Sequence, residues 1–355
     1  MTTILKVFSG VVLGAALVSG GETPAAKSTS YRLEQPRSEI PVPAGIWITE
    51  WNLGQWQNGL LVLRAAGGPL TNKEVTNLVA ADRSGKIVLQ HALWIPNAAS
   101  VQTMGSAVSR EHLVAVCGYL NSPSTGDTGF VQEIHPDGSV LRTISTGGFS
   151  PVNPAYDSRG DLWIAGSPRP EGDSYPAHSV LRRYRDGQLQ AEVMPYASFT
   201  PKYETTPGLK SHPAIHGYEG RAFLLPLSEG VGLWSPGTHE WIEIGNDGAV
   251  LGRWQSPLPQ PTSPQSAAAE TTTAPPPRMW LSGLAVTSSG EVVASIHERN
   301  VRNALYRLDK ASSSWQEITV TSDDSMPVGY VAGADGDTVV YRCVSGWAVS
   351  ALVQK

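Results

Sequence analysis

Short apolar segments alternate with turn-forming residues along most of the chain. The clearest case runs from Asp157 to Gly166, where a Ser-Arg-Gly turn precedes the apolar stretch Leu-Trp-Ile-Ala. Segments such as Ser139–Ile144 and Trp315–Val320 alternate apolar and polar residues with a period of two, as strands with one buried face do. From Ile46 onward, no segment has the three- and four-residue apolar spacing of an amphipathic helix. The pattern therefore predicts an all-β fold.

The turn signature recurs at a spacing of roughly 50 residues, close to the period of about 40–50 residues of four-stranded propeller blades. We place the turn between the first and second strands of each unit at Gly59, Arg110, Gly160, Gly220, Gly290 and Gly336. We place a second turn, before the outer strand, at Arg83–Gly85, His135–Gly138, Arg185–Gly187, Ser235–Gly237 and Asp309–Ser312. Asp-Gly and Ser-Gly pairs supply the positive φ angles that tight hairpins need.

The last unit is incomplete, because the chain ends after the third strand that follows Gly336. A strand from the region between Ser30 and Ile48 would fill the gap and leave few open sheet edges. We therefore predict a β-propeller of six four-stranded blades, closed by an N-terminal strand. Seven blades are the first alternative, since the long fourth unit could be subdivided, and a two-domain β-sandwich is the second.

The N-terminal residues 1–21 have the features of a secretory signal peptide. Lys6 precedes an apolar run, Val7–Val18, and small residues follow it. The run is shorter than the about 20 apolar residues of a comfortable membrane span, although an uncleaved anchor remains the alternative. We expect a secreted or periplasmic protein with no membrane span after cleavage of the signal.

The remaining chain divides into a linker and a propeller. Residues 22–44 are rich in Pro, Ser, Thr and Ala and form the linker, which includes the candidate closing strand; residues 45–355 form the propeller. Residues 256–278 interrupt the repeat with a Pro-, Ala- and Thr-rich stretch that cannot bury enough apolar surface to fold alone. We interpret this stretch as a disordered insertion, with a docking or glycosylated segment as the alternative.

Charge and cysteine content exclude two features. The formal net charge is -5 and no Lys/Arg stripe occurs, so the electrostatic footprint of a nucleic-acid-binding protein is missing. Separately, we expect a monomer. Cys117 and Cys343 fall in the second strands of the second and sixth units, with the first blade between them. Since a disulfide needs Cα atoms within roughly 7 Å, we expect buried thiols instead. The strand tryptophans are expected to pack between blades: Trp163, Trp234, Trp241, Trp315 and Trp347.

The repeat also predicts where a functional site lies. Both tight turns of each unit fall on one face of a propeller, and the long connections fall on the other, which we call the long-loop face. A rigid scaffold with long loops on one face is a common way to build a site. Candidate ligand-binding residues on that face and around the mouth of the central channel are Glu50, Asn52, Asn153, Tyr203, His212 and His297.

Two groups among these residues allow more than one interpretation. Glu50, Asn52 and Asn153 offer oxygen ligands for a divalent cation such as Ca²⁺, although small residues at equivalent positions also fit crowding of the inner strands. His212 and His216 could share a metal only if Pro213 breaks the strand, because residues four apart in a strand span about 13 Å. Otherwise they are structural histidines, and we predict no metal site there.

The recurring segments, among them Asp157–Gly166 and Thr287–Ser295, resemble those of six-bladed propellers of the TolB-like and NHL-like superfamily, from Ile46 to Lys355. The resemblance implies either a binding or scaffold protein, or a lactonase, esterase or lyase with its site at the channel mouth, often around a divalent ion. Because no complete catalytic set is present, the sequence favours an exported, non-catalytic propeller that binds a protein, peptide or glycan. The alternative is a hydrolase or lyase in which His212 or Glu50 is the acid–base group.

Overall fold

The computed structural model describes residues 31–43, 54–64, 78–93, 95, 98, 100–122, 126–168, 179–195, 198–199, 216–217, 220–259, 279–298, 302–320, 329–343 and 346–354. Within these ranges, the regular secondary structure consists of β-strands and includes no α-helix. No helix of the described residues is therefore long and apolar enough to cross a membrane. The prediction of an all-β fold is confirmed.

The strands of the first half are β1 (Tyr31–Leu33), β2 (Ser38–Pro41), β3 (Gln55–Gln57), β4 (Leu60–Arg64), β5 (Leu78–Ala81), β6 (Ile87–His91), β7 (Ser100–Val108), β8 (Val114–Ser122), β9 (Gly126–Ile134), β10 (Val140–Gly147), β11 (Phe149–Tyr156), β12 (Leu162–Pro168), β13 (Ser179–Arg185) and β14 (Gln188–Pro195). Those of the second half are β15 (His216–Gly217), β16 (Gly220–Arg221), β17 (Phe223–Leu227), β18 (Gly230–Ser235), β19 (Glu240–Gly245), β20 (Val250–Gln255), β21 (Met279–Val286), β22 (Val292–Glu298), β23 (Arg302–Asp309), β24 (Ser314–Val320), β25 (Val331–Asp335), β26 (Thr338–Arg342) and β27 (Gly346–Gln354).

Consecutive strands pair into four-stranded antiparallel meanders, which gives a propeller-like arrangement. The second, third and fourth meanders are separate sheets formed by β7–β10, β11–β14 and β17–β20. The first meander, β3–β6, and the fifth, β21–β24, belong to a larger sheet that also contains β25–β27. The short β15 and β16 pair only with each other.

N-terminal strands complete the last set of strands. β2 pairs antiparallel with β27, with Ile40 opposite Trp347, and so supplies a fourth strand beside β25, β26 and β27. β1 lies between β27 and β24, antiparallel to the first and parallel to the second. Tyr31 in β1 also stacks under the guanidinium of Arg307, 4.1 Å from the ring centroid. Both strands come from the region in which we predicted the closing strand.

The first strands of successive meanders approach one another closely. β3, β7, β11, β17, β21 and β25 each contact the next in this order, and β25 pairs in parallel with β3 through Gly333 and Trp56. Bulges interrupt several of these strands, and a glycine follows the bulge at Gly105, Gly283 and Gly333. A Cβ at any of the three would overlap the backbone of the neighbouring first strand. Glycine is therefore needed for close approach, as the crowding interpretation predicted.

Apolar clusters fill the spaces between neighbouring meanders. Trp163, for example, packs with Leu224 and Leu233 of the fourth meander. Trp163, Trp234, Trp241 and Trp347 are buried and Trp315 is half-buried against the same core, which confirms their predicted packing role. Cys117 and Cys343 are buried in different clusters and form no disulfide, also as predicted.

The segment from Asp157 to Gly166 forms the turn that the sequence indicated. The N–H of Asp157 donates to the carbonyl oxygen of Asp161, and the N–H of Gly160 donates to the carbonyl oxygen of Asp157. Oδ1 of Asp157 accepts hydrogen bonds from the N–H groups of Arg159 and Asp161. Ser109 and Thr287 cap the same five-residue turn in the second and fifth meanders. Asp157 thus has a structural role in the turn.

One prediction about the repeat is wrong. Gly220 lies in the small β15–β16 hairpin, and the first turn of the fourth meander is instead Ser228–Glu229, between β17 and β18. Consequently Ser235–Gly237 joins the second and third strands, and the turn before the outer strand is the one that contains Gly248. Gly220 misled the assignment because an apolar run follows it immediately, as one follows the genuine first turns.

Candidate functional site

A row of three polar or aromatic side chains crosses the fifth meander at its long-loop end. Trp280 in β21 lies opposite His297 in β22, and His297 lies opposite Asn303 in β23. Since residues directly opposite in adjacent antiparallel strands share a sheet face, the three side chains form one continuous row. Residues 299–301, which join β22 and β23, lie outside the described residues.

Hydrogen bonding sets the chemical character of His297. Its Nδ1 lies 2.6 Å from Oδ1 of Asn303, an acceptor, so Nδ1 carries the proton and donates it. In the neutral imidazole, Nε2 then bears the lone pair and can accept a proton. The Trp280 ring lies 4.3 Å away, centroid to centroid, at an interplanar angle of 46°, and restrains the imidazole. A histidine whose tautomer and orientation are fixed in this way is suited to general-base catalysis.

The row faces the space between the fifth and sixth sets of strands. Two residues from His297 along β22, Oγ of Ser295 accepts a hydrogen bond from the N–H of Val331 in β25 (2.9 Å) and also lies 2.9 Å from Oγ of Ser282. Ser295 is fully buried, whereas His297 is half-buried. This face of β22 is therefore closed by a structural contact at Ser295 and becomes partly accessible to solvent at His297.

Asn153 has a structural role in this structure. It is buried, and its Oδ1 accepts a hydrogen bond from the N–H of Leu224 in β17 (3.3 Å). It follows a bulge in β11, at the position that Gly283 occupies in β21. Where the glycines let two backbones approach, Asn153 instead bridges two first strands with its side chain.

The other residues predicted for the site fall outside the described part of the chain. Glu50, Asn52, Tyr203 and His212 lie outside the described residues, and so does the proposed relation of His212 to His216, whose backbone alone is described. The long-loop connections at 65–77, 169–178 and 196–197 are outside them as well. In the part of the chain that the structure describes, no three His, Cys, Asp or Glu side chains come together in a group that could hold a metal ion.

Two members of the row, Trp280 and Asn303, were missed by the sequence reasoning. A signal for Asn303 was present, because His297 and Asn303 are equidistant from residue 300 and a hairpin centred there places them opposite each other. Trp280 lies two residues after the insertion and carries no such signal in the sequence.

Comparison with known proteins gives remote structural similarity alone. No protein-family model and no curated protein matches the chain. A prolyl endopeptidase is 15% identical with a TM-score of 0.42, and the match covers 85% of this chain and 42% of that one. A puromycin-hydrolyzing peptidase of Mycobacterium tuberculosis is 16% identical with a TM-score of 0.43, covering 92% and 45%. A glucose dehydrogenase is 14% identical with a TM-score of 0.39, covering 92% and 99%.

These comparisons correct the expected function. The similar structures are two peptidases and a dehydrogenase, so the expectation of a non-catalytic binding propeller is not retained, and the hydrolase alternative fits the two peptidases better. The chain spans less than half the length of either peptidase. With TM-scores below 0.5, the likeness itself assigns no activity to this chain.

Proposed function

We propose that the protein is a six-bladed propeller that acts as a hydrolase, with His297 as its general base. The observation that carries the proposal is the 2.6 Å hydrogen bond between Nδ1 of His297 and Oδ1 of Asn303. It leaves Nε2 to take a proton from a water molecule as the water oxygen attacks a carbonyl carbon. The same nitrogen then returns the proton to the leaving group, so that each turnover restores the base.

Strand contacts support the six-bladed, closed arrangement. Each first strand contacts the next, and the parallel pairing of β25 with β3 returns the series to its beginning. β2 takes the outer position beside β27. A ring of this kind removes the open edges that three adjacent strands would otherwise present. We assign the protein to the TolB-like and NHL-like superfamily on the same repeat.

Export to the periplasm or the cell exterior is a second part of the proposal. It rests on Lys6, the apolar run Val7–Val18 and the small residues after it, all of which lie outside the described residues. N-terminal sequencing of protein recovered from the exported fraction tests it. A new N-terminus close to Glu22 is the expected result, and an intact Met1 in the cell interior would refute export.

The hydrolase proposal is tested with a panel of p-nitrophenyl esters, lactones and peptide p-nitroanilides. Removal of a general base typically costs about 10²–10⁴-fold in rate, so His297→Gln should lower kcat/KM by that order for every substrate turned over. Asn303→Leu should lower kcat while KM changes little, because the ring loses its tautomer and orientation. Asn303→Asp should retain most of the wild-type kcat, since the carboxylate also accepts a hydrogen bond from Nδ1.

His91→Gln provides the matched control. His91 is also half-buried, and its ring nitrogens also lie within hydrogen-bonding distance of oxygen atoms, those of Gly138 and Gln132, but it sits at the end of an outer strand. Its replacement should leave kcat/KM unchanged. Full activity in His297→Gln, or no turnover of any substrate by the wild-type protein, would contradict the assignment.

The proposed site includes a divalent cation as a separate, testable component. Glu50 and Asn52 offer oxygen ligands and lie outside the described residues. Elemental analysis of the purified protein, before and after chelation, tests their involvement. A bound ion that is lost in Glu50→Gln and retained in His297→Gln would place the cation at Glu50, whereas an ion-free active enzyme would exclude it.

A further inference from the structure

A cavity of about 520 Å³ opens at the opposite end of the first strands from His297. It is surrounded by the tight turns, and all of the first strands except β7 contribute directly to its wall, while the second meander contributes Arg110 from the turn after β7. Sequence reasoning had assigned no function to this face. β21 separates the two places, because Trp280 lies near its start and Val286, in the cavity wall, at its end. At about 3.3 Å per residue they are roughly 20 Å apart.

The charged groups of the cavity differ in how they are paired. Both carboxylate oxygens of Asp157 accept hydrogen bonds within their own meander, from two backbone N–H groups and from Nε1 of Trp163. Nζ of Lys310 lies 2.7 Å from Oε1 of Glu243, which also accepts from Nε1 of Trp241. Lys310 and Glu243 neutralise each other, and the Asp157 carboxylate keeps its charge but has its oxygens occupied by neutral N–H donors, so these groups have little capacity left for a ligand.

One wall of the cavity holds two nitrogen donors that are not committed to other described groups. Oε1 of Gln57 accepts from the N–H of Val108 (2.9 Å), and Nδ2 of Asn58 donates to the carbonyl oxygen of Val108 (2.7 Å). These bonds fix the end of β3 to the end of β7, so that Arg110, two residues beyond Val108, lies at the same wall. Nε2 of Gln57 is buried without an acceptor among the described residues, and the exposed guanidinium of Arg110 has no carboxylate partner among them.

Apolar side chains and one acid complete the surroundings. Leu225, Leu227 and Val286 contribute apolar surface from the fourth and fifth meanders. Glu229 lies on the turn of the fourth meander, exposed and without a described cationic partner. The donor wall and the acid belong to different meanders, so a bound anion would be directed toward Arg110 and away from Glu229.

We infer that this cavity binds a small organic molecule through a carboxylate, held by the guanidinium of Arg110 and by Nε2 of Gln57. A guanidinium binds a carboxylate through two parallel hydrogen bonds, and a buried amide N–H gains most from an ionised acceptor. The volume suits a ligand with an apolar body, which the leucine and valine side chains would contact. The inference does not depend on the hydrolase proposal, because it concerns the other end of the first strands.

The test uses three matched probe pairs on the full-length protein: benzoate with benzamide, phenylacetate with phenylacetamide, and cyclohexanecarboxylate with its amide. Saturation-transfer NMR and isothermal calorimetry measure their affinities. Each carboxylate should bind more tightly than its amide. Arg110→Gln should weaken carboxylate binding by about tenfold or more and abolish the preference over the amide. Gln57→Leu should weaken it by a smaller factor.

Two control variants make the test specific. Arg159→Gln removes an exposed arginine from the neighbouring turn, outside the cavity wall, and Glu229→Gln removes a charge of opposite sign from the wall. Neither should weaken carboxylate binding. Equal affinity for acids and amides, an equal loss in Arg110→Gln and Arg159→Gln, or no saturable binding up to roughly 10 mM would overturn the inference.

Discussion

Replacing Asp157 by alanine should destabilise the protein more than the same change in any exposed copy of the turn. Asp157 is 4% exposed, and its carboxylate accepts three hydrogen bonds: 2.9 Å from the N–H of Arg159, 3.0 Å from that of Asp161 and 2.8 Å from Nε1 of Trp163. Trp163 is completely buried in the core between the third and fourth meanders. The aspartate therefore joins the turn to the core.

The expected loss follows from which donors remain without acceptors. In Asp157→Ala, the N–H of Arg159 can turn to solvent, because that residue is exposed. Asp161 and Trp163 are buried, and the side-chain acceptor of the Asp161 N–H and of Trp163 Nε1 in the described structure is the Asp157 carboxylate. A buried donor left unsatisfied costs about 1–3 kcal/mol, so the two together should lower the free energy of unfolding by about 2–6 kcal/mol.

Asp82→Ala is the matched control for this measurement. Oδ1 of Asp82 accepts from the N–H groups of Ser84 and Lys86 in the same five-residue turn, but the carboxylate is exposed and contacts no core side chain in the described structure. Urea unfolding followed by tryptophan fluorescence compares the two variants with the wild type. If Asp157→Ala lowers the free energy of unfolding no more than Asp82→Ala does, the argument that the indole bond joins turn and core is refuted.

Two further predictions concern strand approach and pH. In Gly283→Ala the new methyl group overlaps the carbonyl oxygen of Val331, so unfolding should become easier by about 1–3 kcal/mol, whereas Gly148→Ala, with open space around it, should change little; similar urea midpoints would contradict this. Burial, reinforced by Glu133, raises the pKa of Tyr156 well above its usual value, so its contribution to stability is complete below about pH 10 and declines above it, as the unfolded tyrosine ionises. Urea titrations from pH 8 to 11 should run parallel in wild type and Tyr156→Phe up to about pH 10, and above it the wild type should lose up to about 1.4 kcal/mol more per pH unit; curves that stay parallel to about pH 11 would contradict the assignment.

The regular part of the fold could be predicted because its signals are local. A turn such as Asp157–Gly160 needs a side-chain acceptor at its start and a residue with positive φ near its end, and both are visible in four residues. Strand period follows in the same way. The prediction of the first turn in the fourth unit was wrong because Gly220 carries the same local signature. The choice between Gly220 and Ser228–Glu229 depends on the pairing of β17 with β18.

The candidate site depends on cross-strand register, which single segments do not contain. Asn153 and Asn303 are the same residue type, each in a strand of a meander, and the position of Asn153 on a first strand, equivalent to that of Glu50 and Asn52, gave it preference in the sequence. Cross-strand register distinguishes the two residues. Asn153 follows a bulge, and its side-chain oxygen accepts a hydrogen bond from the N–H of Leu224. Asn303 lies opposite His297, and its side-chain oxygen accepts from the imidazole. An amide that accepts from the backbone adds stability, and one that accepts from a histidine determines which ring nitrogen can take up a proton. Functional residues of a repeat fold are therefore found by asking what each polar side chain contacts across the sheet, since residues with the same position in the repeat can have different partners.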